Sequence, residues 1–254
     1  MSRDDVFPNP TVKTVIFQIR YPSLFFIEKL IGEYQVNVME QFPQSKLVVQ
    51  RQFLFAQVQD DADQPEPPEE ERAFPIRKVW QFIAPQGVTL SVHDQALSLV
   101  SEKHKTYRSP AAECRFRDLI EFSVDTFLQL TKLPVLSRIG LRYVDECPVP
   151  GTDSATFREY YETTLPLDRF PLSDATQMEF RTRIKRGQYS LLFKEEYKTD
   201  DDGPKLTLDF DGYAHDVKAS GYLAVSDALH DLVSAEFFGL IKEPVIEYMR
   251  DRKE

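Results

Sequence analysis

The sequence predicts an α+β fold of two similar lobes, each a curved antiparallel sheet packed on a long helix. Two observations carry this. Apolar residues alternate with polar ones in short runs, the pattern of strands with one buried face, and these runs are separated by long amphipathic stretches with helical spacing. The order strand, helix, several strands, helix then occurs twice. The mid-chain stretch Leu136 to Pro150 opens the second round: Ile139, Leu141 and Tyr143 point one way, and Arg138, Gly140 and Arg142 the other. Its Leu141-Arg142-Tyr143 echoes Ile19-Arg20-Tyr21 near the start.

Taken in order, Thr11 to Tyr21 reads as a first strand, with Val15, Phe17, Ile19 and Tyr21 on one face. Ser23 caps a helix from about Leu24 to Gln41, carried by Ile27, Leu30, Ile31, Tyr34 and Val38. Leu47 to Val58 reads as a strand, as do the stretches through Ile76, Trp80 and Phe82, through Val88, Leu90 and Val92, and through Ala96 to Ser101. Ser109-Pro110 offers a capping hydroxyl and a first-turn proline, which predicts a helix from there to Lys132 with Cys114 inside it. In the second half a helix is expected near Ala155 to Thr163. A meander follows, made of Phe180 to Ile184, a turn at Gly187-Gln188, Tyr189 to Phe193 and Leu206 to Phe210. The last helix carries Val225, Leu229, Leu232, Val233, Phe237 and Ile241. The lobes divide at 1–133 and 134–254, packed as one unit, and their repeated order suggests an internal duplication. This order is that of folds of the TATA-binding-protein or helix-grip kind.

Composition narrows the function classes. The chain has 254 residues with 19 Phe and 11 Tyr, enough for a sizeable core. No apolar run approaches the length of a membrane span, and the N-terminus lacks the basic and apolar order of a signal peptide, so a cytoplasmic location is expected. Cys114 and Cys147 have neither disulfide-framework nor zinc spacing. The net charge is −10, and much of the excess sits in residues 60–72, DDADQPEPPEEER, which reads as a mobile acidic connection. The four histidines have no metal-site spacing, and the signatures of nucleotide-binding loops, nucleophile elbows and zinc proteases are missing, so no cofactor, metal or catalytic residue is assigned.

The candidate binding residues are Arg20, Arg138, Arg142 and Tyr143 from the first strands of the two lobes, with Trp80, Asp227 and His230. Three arginines converging in one concavity favour an anionic ligand, whereas pairing to Asp145 or Glu146 makes them a rim. Asp227 and His230 lie one helical turn apart and read as a hydrogen-bonded pair. Arg181, Arg183, Lys185 and Arg186 form a basic strand face, expected to pair with charges on neighbouring strands such as Glu196, Asp209 and Asp211. Trp80, Tyr160 and Tyr161 are aromatic anchors for a partner.

Four stretches carry a resemblance: Phe7-Pro8-Asn9-Pro10 leading into TVKTVIFQIRYP, Trp80 before VTLSVHDQALSL, the RIGLRYV of Arg138 to Val144, and Asp227 to His230 with Phe237 and Phe238. Together they resemble a sporadically distributed prokaryotic family of roughly 250-residue proteins without an assigned function. Asp145 departs from the asparagine more usual there, and the 60–72 stretch is a local elaboration. The resemblance implies an accessory role of the defence or toxin and antitoxin kind. The first expectation is therefore a non-enzymatic protein that binds a protein partner. The alternatives are a sensor or enzyme for a small anionic ligand held between the lobes by Arg20, Arg138, Arg142 and His230, and a nucleic-acid binder working through the sheet face.

Overall fold

A computed structural model describes residues 5–51, 76–201 and 203–251. The predicted acidic stretch 60–72 and the far end of the strand expected to reach Val58 lie outside them. The described chain is α+β, with nine strands in one antiparallel sheet and five α-helices. The first half runs β1 (Val12–Arg20), α1 (Ile27–Val38), β2 (Gln44–Arg51), β3 (Ile76–Ile83), β4 (Val88–His93), β5 (Ala96–Ser101) and α2 (Phe116–Thr131). The second runs β6 (Val135–Cys147), α3 (Ser154–Tyr160), β7 (Gln177–Arg186), β8 (Tyr189–Asp200), β9 (Gly203–Lys218), α4 (Tyr222–Leu240) and α5 (Glu243–Arg250). Among the described residues no helix is long and apolar enough to cross a membrane.

The sheet order is β2-β3-β4-β5-β1-β6-β9-β8-β7. The sequence predicts a curved sheet in each lobe without saying how the two meet; β1 and β6 pair along their length, Phe17 opposite Leu141 and Ile19 opposite Ile139, so one sheet runs through both halves. Two strands that each bury one face in the same core have unpaired edges, and joining those edges satisfies both backbones at once.

Alternation decides which face is inside. Val15, Phe17, Ile19, Ile139, Leu141, Leu191, Leu208 and Phe210 are all buried on the helix side. There Phe210 lies between Phe193 and Phe237 at ring distances of 5.0 and 6.2 Å. Helix α1 reaches the core through Tyr34, whose hydroxyl donates to Ser123 O of α2 at 3.0 Å. The one inward acid of β8, Glu195, is buried but accepts bonds from both hydroxyls of Thr163 and Thr164 and from the Thr164 amide, at 2.5 to 2.9 Å. This ties the loop after α3 onto the sheet.

Some boundaries differ from the sequence reading. Helix α2 starts at Phe116 and not at Pro110, because its first amides are already taken: Phe116 N donates to Thr106 O and Arg117 N to Tyr107 O. The Ser109 hydroxyl meanwhile closes a local turn on Ala111 N, so Cys114 precedes the helix. Helix α5 was not foreseen, since Pro244 follows closely on α4; the proline occupies the first turn of a new helix, where no amide bond is lost. Helix α2 ends on Lys132 in the left-handed conformation, φ 55°, a position that favours glycine.

Two stability measurements follow. Phe210→Ala removes a fully buried ring and is expected to cost about 3–5 kcal/mol in chemical denaturation. Lys132→Gly relieves the left-handed cap and is expected to add up to about 1 kcal/mol; a loss there would mean the cap geometry is wrong.

Candidate binding face

Every helix contact described above falls on inward side chains; the outward set of the sheet bonds within itself. Its rungs follow from the register. Lys185, Ser190, Tyr213, Gly140, Gln18 and Ser98 stand side by side across β7, β8, β9, β6, β1 and β5. The next rung carries Arg183, Leu192, Asp211, Arg142 and Ile16.

The β1–β6 seam does bring the three arginines onto one face, with Arg20 directly opposite Arg138. They do not enclose a cavity. Arg20 Nε donates to Gln18 Oε1 at 2.7 Å. Arg138 Nη2 donates to both Asp211 oxygens at 2.8 Å, and its guanidinium lies 4.8 Å over the Tyr213 ring. Arg142 grips Asp209 through Nε at 2.7 Å and Nη2 at 2.5 Å. The partners are thus acids of β9 and not Asp145 or Glu146. Asp145 points inward, almost fully buried, and accepts from Thr11 Oγ1 at 2.9 Å, while Glu146 meets Lys13 at 3.5 Å. Gly140 leaves the space that Arg138 fills: a Cβ there would collide with the guanidinium.

Burial holds the Asp211 carboxyl above its ordinary range, with Arg138 and Arg142 pulling it back, so its ionisation opposes folding as pH rises. Glu196 shifts the other way. Its hydrogen bond from Lys194 lowers it, and the stability this contributes is present above the ordinary carboxylate range and lost as pH falls through the lowered value.

The remaining candidates lie inside. Trp80 is half-buried on the inner face opposite Val92 and Leu47. Tyr143 is buried, its hydroxyl 3.0 Å from His230 Nδ1. Asp227 and His230 do not bond each other; Tyr107 bridges them, its ring stacked 4.2 Å from His230 and its hydroxyl donating to Asp227 Oδ1 at 2.9 Å. Asp227 also takes Arg117 Nε and Nη2 at 2.8 and 3.0 Å. Burial pushes the Tyr107 hydroxyl far up, so it stays a donor at any ordinary pH. This cluster clasps α2, α4, the 102–115 segment and β6 together. Sequence reasoning missed Tyr107 and Arg117, which belong to a loop and a helix with no shared period. Tyr161 is buried too, its hydroxyl donating to Pro148 O, and it is no surface anchor; Tyr160 is half-buried.

A cavity of about 870 Å³ opens in the first half beside Gln86, Ser101, Lys103, Lys105 and Cys114. None of Arg20, Arg138, Arg142 and His230 lines it. Burial, and next to it Asp118, raises the Cys114 thiol, which works against a reactive thiolate. No cluster of metal-ligating side chains occurs among the described residues.

The basic strand resolves into two parts. Arg186 turns to the helix side and pairs with Glu236 at 2.7 Å. Arg181, Arg183 and Lys185 are exposed on the outward face of edge strand β7, opposite Lys194, Leu192 and Ser190 and not opposite acids. The nearby acids are already held: Glu179 and Glu196 by Lys194 at 3.2 and 2.8 Å, Asp209 by Arg142 and Asp211 by Arg138. Among the described residues no carboxylate forms an ion pair with Arg181, Arg183 or Lys185.

Asp227→Ala strips two partners at once from a partly buried network. It is expected to lower unfolding stability by about 1–3 kcal/mol, whereas Asp231→Ala, which removes the exposed pair to Arg108, is expected to change it by about 0.5 kcal/mol or less. Equal effects in thermal denaturation would contradict the clasp. Comparison with family models, with curated proteins and with solved structures gives no match for this chain.

Proposed function

We propose that this chain is a non-enzymatic binding protein whose working surface is the helix-free face of the sheet. The observation that carries the reading is the segregation of charge. The five helices and the apolar core occupy one side, while the other presents a broad polar surface on which Glu179, Glu196, Asp209 and Asp211 are each bonded to a cation. Rigid strands hold such a surface without the entropy cost of ordering loops on binding.

The reading includes a duplicated architecture. In its support, the strand order is nearly mirrored about the β1–β6 seam, with β5, β4, β3 and β2 stepping away on one side and β9, β8 and β7 on the other. That mirrored order is also what favours an arrangement of the TATA-binding-protein kind over a helix-grip one, with the second half one strand short. An accessory role within a prokaryotic module accords with a surface made for recruitment. The small-ligand alternative loses the enclosed arginine pocket it required, since the first strands of the two halves are hydrogen-bonded to each other and leave no groove between them.

A photo-crosslinking side chain placed at Arg183 on the outward face, and separately at Glu247 on α5, tests this in host cells. Adducts from position 183 with none from 247 are expected. Adducts confined to 247 would show that the helix side is the working surface.

A further inference from the structure

Resting on the binding-face reading, the geometry points to a partner class: we propose that the β7–β9 part of the outward face binds single-stranded nucleic acid. The backbone would run along β7, with its bases laid over β8 toward β9.

Three features converge on this. Arg181, Arg183 and Lys185 point out from alternate positions of one strand, so their charges recur about every 6.6 Å and can follow successive phosphates. Lys194, Arg138 and Arg142 offset three of the four charges on Glu179, Glu196, Asp209 and Asp211, and Arg181, Arg183 and Lys185 turn the remainder into a surplus of two positive charges over these ten groups, although the chain as a whole carries −10. Two strand spacings away, about 10 Å, β9 presents two rings: Tyr213, half-buried, and His215, exposed, edge-on at 5.3 Å. The Arg138 guanidinium packs over Tyr213 and holds that ring in place.

Between the cations and the rings, the rung from Lys185 to Tyr213 crosses only Ser190, and the rung from Arg183 crosses Leu192. These are low side chains that leave room for a base. Cations in a row, a shallow floor and rings beyond it are what a splayed single strand requires: charge along the sugar-phosphate chain and stacking surfaces for the bases. An acidic protein segment would use the cations and gain nothing from the rings. A duplex would keep its bases stacked inside the helix and out of reach of the rings.

Fluorescence anisotropy of labelled single-stranded DNA and RNA 20-mers with the full chain tests the proposal, with duplex 20-mer and poly-glutamate as the other probes. Binding that weakens steeply with salt is expected. Joint Arg181→Gln, Arg183→Gln and Lys185→Gln substitution is expected to cut affinity about tenfold or more and to reduce the log–log salt slope by about 2. His215→Ala is expected to weaken binding about fivefold without changing the slope. Both variants change exposed side chains, and unchanged thermal midpoints confirm that they fold. Equal affinity for duplex or poly-glutamate, or insensitivity to His215→Ala, would overturn the single-strand assignment. No measurable oligonucleotide binding together with protein adducts from position 183 would overturn it while leaving the binding-face reading intact; adducts confined to 247 would sink both.

Discussion

The pairing of β1 with β6 is the constraint on which the rest depends. Each strand opens its half of the chain, and each would otherwise end a sheet with a row of bare amides and carbonyls. Joining them from Val12 opposite Asp145 to Arg20 opposite Arg138 makes nine strands continuous and forces every helix to one side. Because side chains alternate, the same pairing determines that the arginines of RIGLRY face outward and its Ile139, Leu141 and Tyr143 inward. Core and surface are thus set by one register.

The inward residues of this motif also anchor the interior. Tyr143 reaches His230 of α4, Tyr107 stacks on that imidazole, and Asp227 gathers Tyr107 and Arg117. Polar groups in a core are costly unless partnered, and here each is held by several neighbours from different elements. The cluster specifies how the last helix sits on the central strand. The motif therefore serves packing on one face and, through Arg138 and Arg142, charge balance on the other.

Much of this was legible in the sequence, and the reasons differ by element. Strands such as β1, β4, β6 and β9 each bury a single face, so period-two alternation marked them directly. The hairpin at Gly187-Gln188 was visible from turn chemistry, and Gly187 does take a positive φ of 62°. The strand order was not legible, because pairing of β1 with β6 joins residues more than a hundred positions apart and leaves no local trace. The start of α2 was misplaced because a serine-proline cap signal serves equally for a turn, and loop carbonyls outcompeted it for the helix amides. At the candidate site, nearness of Arg20 and Arg138 followed from strand parity, but their partners did not: Asp209 and Asp211 face outward on a strand whose neighbour only the topology reveals. The same topology leaves Arg181, Arg183 and Lys185 on an edge with no acid opposite, where composition alone suggested cross-strand neutralisation.

Residue-resolved amide hydrogen exchange tests the seam most directly. If one sheet unites the two halves, the amides of Val15 to Ile19 and of Ile139 to Tyr143 exchange through the same opening event, with matching free energies close to that of global unfolding. Separate opening free energies for the two strands, or exchange at either one through local fluctuation, would contradict a single continuous sheet.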